Sequence, residues 1–369
     1  MRMPWVTGNR RRLLRGFALI VAGALLGSGI VAWSTGTLPF VSEPCWNSLP
    51  AEDVDDLFDG QDTESSGIPP AFGHGELLGH CRVMVSEENP RGLSADIRVR
   101  KLYGTDQDNL PWAREFLSTR LTPLGKGLLG MASDSRAWVA LPDACTGKPG
   151  DFDGPGVVDV ALGEEESSFS PDADADARYQ KALARTAVHV ANGAMEELGC
   201  RGALALPGEL TPAPQKFRPM AGDRQMCDLK GVTLPKSYVG SGARMRSSVS
   251  GPGTTSPVHG CDIVTGMESR PEVRLRTVQE PDLVGAFPRT VLDLGEGIGN
   301  KGGPVEAAGS FSPTTAAVRA ECPEGPVMFL AEDQHRAGGH TFLRKVFPSY
   351  VATEAERLGC GRLDIRMGR

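Results

Sequence analysis

Hydrophobic residues form one long apolar run near the N-terminus and many short amphipathic segments after it. The run covers residues 16–33, carries no charge, and follows an arginine-rich stretch at residues 10–15. A helix of this length reaches roughly 27 Å, which matches the hydrocarbon layer of a bilayer. We therefore predict a transmembrane signal anchor at residues 16–33, with the basic segment 1–15 in the cytoplasm and the rest of the chain outside the cell membrane.

A cleaved signal peptide is the alternative, because apolar segments of up to about 15 residues are typical of such leaders. Cleavage would give a secreted protein instead of a membrane-bound one. Both interpretations export everything that follows residue 40. Pro39 and Pro44 would keep residues 34–44 extended, so we predict a short stalk there.

Two segments, residues 178–198 and 341–358, have apolar positions at three- and four-residue steps and predict long amphipathic helices. Each ends in Leu-Gly-Cys, where the glycine suits a left-handed C-terminal cap. Other apolar runs predict strands at residues 95–102, 137–141, 157–162, 203–206, 273–278, 290–294, 327–331 and 363–366. We expect an α+β fold with mainly antiparallel sheets, each packed on a long C-terminal helix.

The eight cysteines repeat in two sets of four: Cys45, Cys81, Cys145 and Cys200, then Cys227, Cys261, Cys322 and Cys360. The first two spacings are 36 and 64 residues in one set and 34 and 61 in the other. An irregular pattern that recurs with similar flanking residues indicates duplication. We predict lobe 1 at residues 45–206 and lobe 2 at 220–369, each folding alone, with a proline-rich linker at 207–219.

An exported chain with an even number of cysteines is expected to form disulfides. We predict that neighbouring cysteines pair within each lobe, because the extra length of lobe 1 falls wholly inside one loop that this pairing closes. The predicted bonds are Cys45–Cys81, Cys145–Cys200, Cys227–Cys261 and Cys322–Cys360.

Composition and short motifs narrow the possible ligands. A net charge of −7 argues against nucleic acid as a partner. Two G-x-G-x-x-G patterns, starting at Gly125 and Gly297, precede no predicted helix and favour glycine-rich hairpins over a nucleotide site. Asp172, Asp174 and Asp176 alternate as in a calcium loop but lack its glycine and its glutamate. We interpret them as a solvated acidic loop, with weak calcium binding left open.

No histidine or cysteine spacing is typical of a zinc site, and no serine lies in a nucleophile motif. We therefore predict no metal site, no cofactor and no catalytic residue. His189 lies within the first long helix beside apolar neighbours, and we interpret it as a partly buried packing residue.

Four features carry a family resemblance: the arginine-rich anchor, the opening Cys45-Trp46-Asn47-Ser48-Leu49-Pro50, its counterpart Cys227-Asp228-Leu229-Lys230, and the two Leu-Gly-Cys helix ends. Together these features resemble signal-anchored exported proteins of streptomycete-like actinobacteria. The resemblance covers most of the chain and implies an extracytoplasmic location, but it implies no activity.

Two classes of function fit these features. The first is a non-catalytic envelope module that binds an envelope protein, a peptide or a wall component, because a doubled scaffold offers two surfaces or a cleft. The second is an extracytoplasmic hydrolase whose site is assembled only in three dimensions. A polar cluster gathered in one cleft would favour the second class.

Overall fold

The computed structural model describes most of the chain from Pro44 onward. The described residues are 44–73, 76–86, 93–102, 111–148, 154–163, 173–212, 217–220, 225–235, 245–250, 256–265, 271–287, 296–300, 305–334 and 339–367. They belong to one compact unit, Pro44–Arg369. The predicted anchor at residues 16–33 lies outside the described residues. Within these ranges, no helix is both long and apolar enough to cross a membrane.

Seven antiparallel strands form the first sheet, which we name sheet A. In chain order they are β1 (Thr63–Gly73), β2 (Glu76–Val85), β3 (Ser94–Lys101), β4 (Thr122–Pro123), β5 (Gly130–Ala132), β6 (Arg136–Ala140) and β7 (Gly156–Leu162). Across the sheet they run β1-β2-β3-β7-β6-β5-β4. Strand β1 therefore forms one edge of sheet A.

Nine antiparallel strands form sheet B. They are β8 (Arg218–Pro219), β9 (Met245–Ser250), β10 (Val258–Thr265), β11 (Val273–Val278), β12 (Glu296–Asn300), β13 (Ala307–Phe311), β14 (Thr315–Cys322), β15 (Gly325–Asp333) and β16 (Ile365–Met367). Their order is β16-β12-β13-β14-β15-β11-β10-β9-β8. The central seven strands of sheet B thus repeat the order of sheet A, and β8 and β16 are added at the two edges.

The register of the two sheets also corresponds. Cys81 on β2 lies opposite Ile97 on β3, and Cys261 on β10 lies opposite Leu275 on β11. Aligning these pairs gives most residues of β2 and β3 a counterpart in β10 and β11.

In the described ranges, seven helices or helical turns accompany the sheets. They are α1 (Pro44–Asn47), α2 (Ala51–Phe58), α3 (Pro111–Phe116), α4 (Asp143–Thr146), α5 (Ala173–Glu197), α6 (Pro281–Val284) and α7 (Gly339–Arg357). The two predicted long helices are confirmed as α5 and α7, and each follows the central strand of its sheet, β7 or β15. Pro348 lies inside α7 without ending it.

Each long helix covers one face of its sheet. Leu183 and Val190 of α5 belong to a buried cluster with Val139 and Val158 of sheet A. Phe347 and Val351 of α7 occupy the same place over Leu275 and Phe329 of sheet B. Burying one such side chain stabilises the fold by about 1.5–3 kcal/mol relative to its exposure. These two clusters are the α+β cores that the sequence predicts.

A third core lies between the opposite faces of the two sheets. Trp138 and Val157 of sheet A are buried together with Val278 and Leu330 of sheet B. A methyl group added at Gly154 of lobe 1 would lie 2.6 Å from the side chain of Ala286 of lobe 2. The layers therefore follow the order helix, sheet, sheet, helix. The sequence did not predict this shared core, and the independent folding of each lobe stays a prediction.

Four disulfides join the cysteines in the predicted pairs: Cys45–Cys81, Cys145–Cys200, Cys227–Cys261 and Cys322–Cys360. Their Cα atoms are 4.8–5.8 Å apart, within the usual span of a disulfide. Disulfides persist in oxidising compartments. The four bonds therefore indicate an extracytoplasmic location.

The segments that connect these elements correct some of the predictions. The predicted strand at residues 203–206 was wrong, because Asn192 on α5 binds both backbone groups of Leu204 at 2.7 and 3.1 Å. The predicted strand at 290–294 lies outside the described residues. Gly125 and Gly127 adopt positive φ in the turn between β4 and β5, as expected of a glycine-rich hairpin.

The second glycine pattern and the predicted linker also differ in detail from the expectation. Gly297 and Gly299 lie within strand β12. The start of the linker packs against lobe 1, since the Gly208 N–H donates a hydrogen bond to the Leu124 carbonyl at 3.0 Å. It then enters sheet B as β8.

Candidate functional site

A pocket of about 500 Å³ lies in lobe 1 beside the C-terminal half of α5. This volume is in the range that accommodates small-molecule ligands. The lining residues come from α1, α5 and the segment after α5. They are Asn47, Ser48, His189, Asn192, Gly193, Glu196, Gly199, Cys200, Gly202 and Ala203.

The polar side of α5 forms one wall of this pocket. His189, Asn192, Gly193 and Glu196 are spaced by three or four residues, so they lie on the same face of the helix. The apolar side of α5 is buried on sheet A. The amphipathic pattern that builds the core thus also directs a row of polar residues toward the pocket.

Asp53 of α2 binds two residues of α5, His189 and Arg185. Its carboxylate is 2% exposed and lies 2.5 Å from the Nδ1 atom of His189. The other oxygen accepts hydrogen bonds from Arg185 at 2.6 and 3.0 Å. A charge this deeply buried is tolerated when it is paired in this way. Asp53 therefore fixes the orientation of His189 at the edge of the pocket.

The Asp53 contact also determines which nitrogen of His189 a ligand can reach. An ionised carboxylate can only accept hydrogen bonds, so Nδ1 of His189 carries the hydrogen. Nε2 is therefore the ring nitrogen that can contact a ligand. Neutral His189 accepts a hydrogen bond through Nε2, and the protonated form donates one. The side chain of His189 is 27% exposed, which leaves it accessible from the pocket.

The opposite wall is an unusual left-handed turn. Cys45, Trp46 and Asn47 have φ values of 54°, 66° and 58°, a conformation that costs roughly 1–2 kcal/mol for each residue other than glycine. The Cys45–Cys81 disulfide holds the start of this turn on β2. The turn brings Ser48 against α5, where a methyl group added at Gly193 would lie 2.1 Å from the Cβ of Ser48.

Ser48, His189 and Asp53 are the residue types of a catalytic triad, but their hydrogen bonds do not form one. The Ser48 hydroxyl donates its only hydrogen to the Cys45 carbonyl at 2.5 Å. A nucleophilic serine would donate that hydrogen to the histidine. The arrangement is therefore suited to hydrogen bonding with a ligand, through Nε2 of His189 and the exposed carboxylate of Glu196.

The interpretation of His189 as a packing residue was incomplete. Partial burial is confirmed, whereas its contact with Asp53 and its place in a pocket were missed. The signal in the sequence was Gly193 within a long helix, because glycine there costs about 1 kcal/mol relative to alanine and implies a close approach.

Among the described residues, no group of three or more histidine, cysteine, aspartate or glutamate side chains could hold a metal ion. Asp174 and Asp176 lie in the first turns of α5 instead of a loop, and Asp172 is outside the described residues. The protein is thus defined as a disulfide-bonded α+β protein of two sheets with a polar pocket in lobe 1. Comparison with protein-family models, curated proteins and solved structures finds no match to this chain.

Proposed function

We propose that the protein is a membrane-anchored extracytoplasmic binding module, without catalytic activity, whose ligand occupies the pocket of lobe 1. The arginine-flanked apolar run at residues 16–33 supports the anchor, with the N-terminus in the cytoplasm. The shared strand order of the two sheets supports duplication of the lobes. The ligand is an envelope component, because the anchor would hold the pocket at the cell surface.

One observation carries the proposal: among the described residues, lobe 1 has His189, paired with Asp53, and Asn192 at pocket positions where lobe 2 has neither a histidine nor an asparagine. Counting back from Cys200 and Cys360, Gly193 corresponds to Thr353, and both contact the residue three positions after the first cysteine, Ser48 or Lys230. In this alignment His189 corresponds to Ser349 and Asn192 to Ala352. Lobe 2 folds without a histidine or an asparagine at these positions, so their presence in lobe 1 supports a role in binding.

The polar groups of the pocket determine the class of ligand. Glu196 offers a carboxylate that accepts hydrogen bonds, and His189 offers Nε2. The C-terminus of α5 adds the negative end of the helix dipole. These groups favour a ligand that donates hydrogen bonds, with hydroxyl or ammonium groups. Sugars and peptides of the cell wall have both.

The test is calorimetric titration of residues 44–369 with soluble peptidoglycan fragments and with short peptides. Glu196→Gln should weaken binding about tenfold or more, since a hydrogen bond to a charged group contributes about 1.5–3 kcal/mol. Glu356→Gln is the matched control, because Glu356 is the exposed counterpart of Glu196 in lobe 2. Equal losses in the two variants, or no binding of either class of probe, would contradict the proposal.

The alternative of an extracytoplasmic hydrolase draws support only from the proximity of Ser48, His189 and Asp53. The hydrogen bond from Ser48 to Cys45 weighs against it. A fluorophosphonate reagent labels activated serines. Labelling of Ser48 that disappears in His189→Gln would replace the binding module with a hydrolase.

A further inference from the structure

Exposed apolar side chains are concentrated on the β1–β2 hairpin. Four large hydrophobic residues there are well exposed: Ile68 by 70%, Leu78 by 56%, Phe72 by 50% and Met84 by 39%. In the part of the chain that the structure describes, the other exposed large hydrophobic residue is Leu206, at 45%. Single exposed apolar residues are ordinary, whereas a group of them on one element marks an interaction surface.

The corresponding strand of lobe 2, β10, is buried at the positions that are exposed in this hairpin. In the register set by Cys81 and Cys261, Leu78 corresponds to Val258 and Met84 to Val264. Both valines are buried, and Val258 belongs to the core between the sheets. These positions are therefore buried in lobe 2. In lobe 1 they also carry apolar residues, but there they are exposed to solvent.

The charges on this face differ between the lobes in the same register. In lobe 2, Asp262 on β10 binds Arg276 on β11 at 2.7 Å. Their counterparts in lobe 1 are Arg82 and Arg98, so the acidic partner is replaced by a second arginine. Arg98 binds Asp96 at 2.8 Å.

Two arginines of this face each have one side-chain nitrogen without a hydrogen-bond acceptor in the described part of the chain, and the guanidinium of Arg100 lies 5.4 Å from the centre of the Phe116 ring. The Nε atoms of Arg82 and Arg100 are buried and have no hydrogen-bond partner among the described residues. Both arginines lie on the same face of sheet A as Leu78, which is opposite Arg100. The face thus combines apolar side chains with guanidinium groups, which complements a surface of acyl chains and phosphates.

The attachment of the chain brings this hairpin close to the predicted anchor. Residues 34–43 would reach at most about 35 Å when fully extended, whereas a unit of this size has a radius of gyration of about 20 Å. The tether is therefore shorter than the diameter of the unit. It also ends at strand β2 of the hairpin, because Cys45 is bonded to Cys81, with their Cα atoms 5.5 Å apart.

We propose that the β1–β2 hairpin docks on the outer surface of the cell membrane, with Ile68, Leu78 and Met84 at the lipid interface and Arg82 on anionic lipid phosphates. The inference rests on the membrane anchoring in the proposed function, but it does not depend on the pocket. A bilayer fits better than a protein partner because the short tether holds the hairpin beside it.

The test is sedimentation of residues 44–369, which contain all described elements and the four disulfides, with vesicles of phosphatidylcholine that contain or lack phosphatidylglycerol. The protein should bind the anionic vesicles more tightly. The double variant Ile68→Ser, Leu78→Ser should weaken this binding about tenfold or more. Arg82→Gln should weaken it about fivefold and reduce its dependence on salt.

Two exposed positions outside the hairpin provide controls. Leu206→Ser and Arg201→Gln should bind as the unaltered protein does. The single variant Ile68→Ser, at the most exposed of the four positions, tests the proposal again if the double variant fails to fold. Equal binding by all variants, or none by the unaltered protein, would overturn it. So would a dimer that the double variant abolishes, because that result would assign the hairpin to a second copy.

Whatever the vesicles show, pocket binding in the calorimetric test is measured without lipid. Failure of the docking proposal would therefore leave the proposed function standing. Failure of the titrations would likewise leave the docking proposal intact.

Discussion

The two lobes share one strand order but place their histidine–carboxylate pairs differently. In lobe 1, His189 binds Asp53 at the edge of a pocket and is 27% exposed. In lobe 2, His259 binds Glu354 at 2.8 Å, and the two side chains are 5% and 0% exposed. A pair sealed in the core can only hold the fold together, whereas a pair beside a pocket can also contact a ligand.

The sheet faces that meet between the lobes show the same difference. Asp262 and Arg276 of lobe 2 are buried under lobe 1, where Asp262 accepts a hydrogen bond from Thr119 at 2.8 Å. The counterparts in lobe 1 are less covered: Arg98 is 51% exposed and Arg82 is half-buried. We infer that lobe 2 acts mainly as the structural partner, while lobe 1 carries the surfaces available for binding.

The largest expected effect is the loss of the buried carboxylate of lobe 2. Burial opposes the charge of Glu354, but hydrogen bonds from His259 and Arg357 outweigh it and lower its pKa from 4.5 to about 2. Glu354→Gln should therefore destabilise the protein by about 3 kcal/mol at pH 7. Urea unfolding measures this change.

The pH dependence of the same variant has a definite sign. A lowered pKa contributes stability above pH 4.5 that is lost as the pH falls toward 2. The cost of Glu354→Gln should therefore shrink across that window. The control is Asp53→Asn in lobe 1. It should lower the free energy of unfolding by about 1–2 kcal/mol, because Arg185 still has an ion pair with Asp56 at 2.7 Å. Equal costs in the two variants would contradict the contrast between the lobes.

A buried acid of lobe 1 should give the opposite slope. Asp159 corresponds to Leu330 of lobe 2 in the sheet register. Burial raises its pKa from 3.8 to about 6, although Arg136 lies 3.1 Å away. A raised pKa means that the folded state favours the protonated acid. The stability is therefore greatest below pH 3.8 and is lost as the pH rises through 6.

Asp159→Asn removes this titration. Relative to the variant, the unaltered protein should gain about 2 kcal/mol as the pH falls from 6 to 4. Urea unfolding at several pH values measures the difference. A parallel pH profile for the two proteins would show that Arg136 keeps Asp159 ionised.

The amino-acid pattern predicted the parts of the fold that depend on local sequence. The two long helices, most central strands and the four disulfides follow from apolar spacing and cysteine spacing, and all are present. The shared core was not predictable, because Trp138 and Leu330 lie in strands buried on both faces, where an apolar run gives no sign of what covers each face.

The pocket was predictable only in part. Gly193 within a helix signalled a close approach, but its partner Ser48 is distant in sequence. Asp53 lies among other acidic residues in α2, Ala51–Phe58, and yet it is buried against α5. Contacts between such distant residues depend on how α2 packs on α5, which periodicity alone does not specify.

The smallest expected effect comes from exchanging the helix residue that meets the first turn in each lobe. Gly193→Thr places a side chain where a methyl group would lie 2.1 Å from the Cβ of Ser48. Overpacking of this kind costs about 1–3 kcal/mol, more than threonine gains over glycine in helix propensity. The reverse change, Thr353→Gly, loses a hydrogen bond to the Lys230 carbonyl and should cost about 1 kcal/mol.

The double variant Gly193→Thr, Ser48→Gly separates the collision from other causes. Removing the Cβ of Ser48 should restore most of the stability lost in Gly193→Thr, as measured by thermal unfolding. If Gly193→Thr alone is as stable as the unaltered protein, the turn at Ser48 moves freely and does not form a fixed wall. The pocket would then lose the rigid wall that the turn at Ser48 provides.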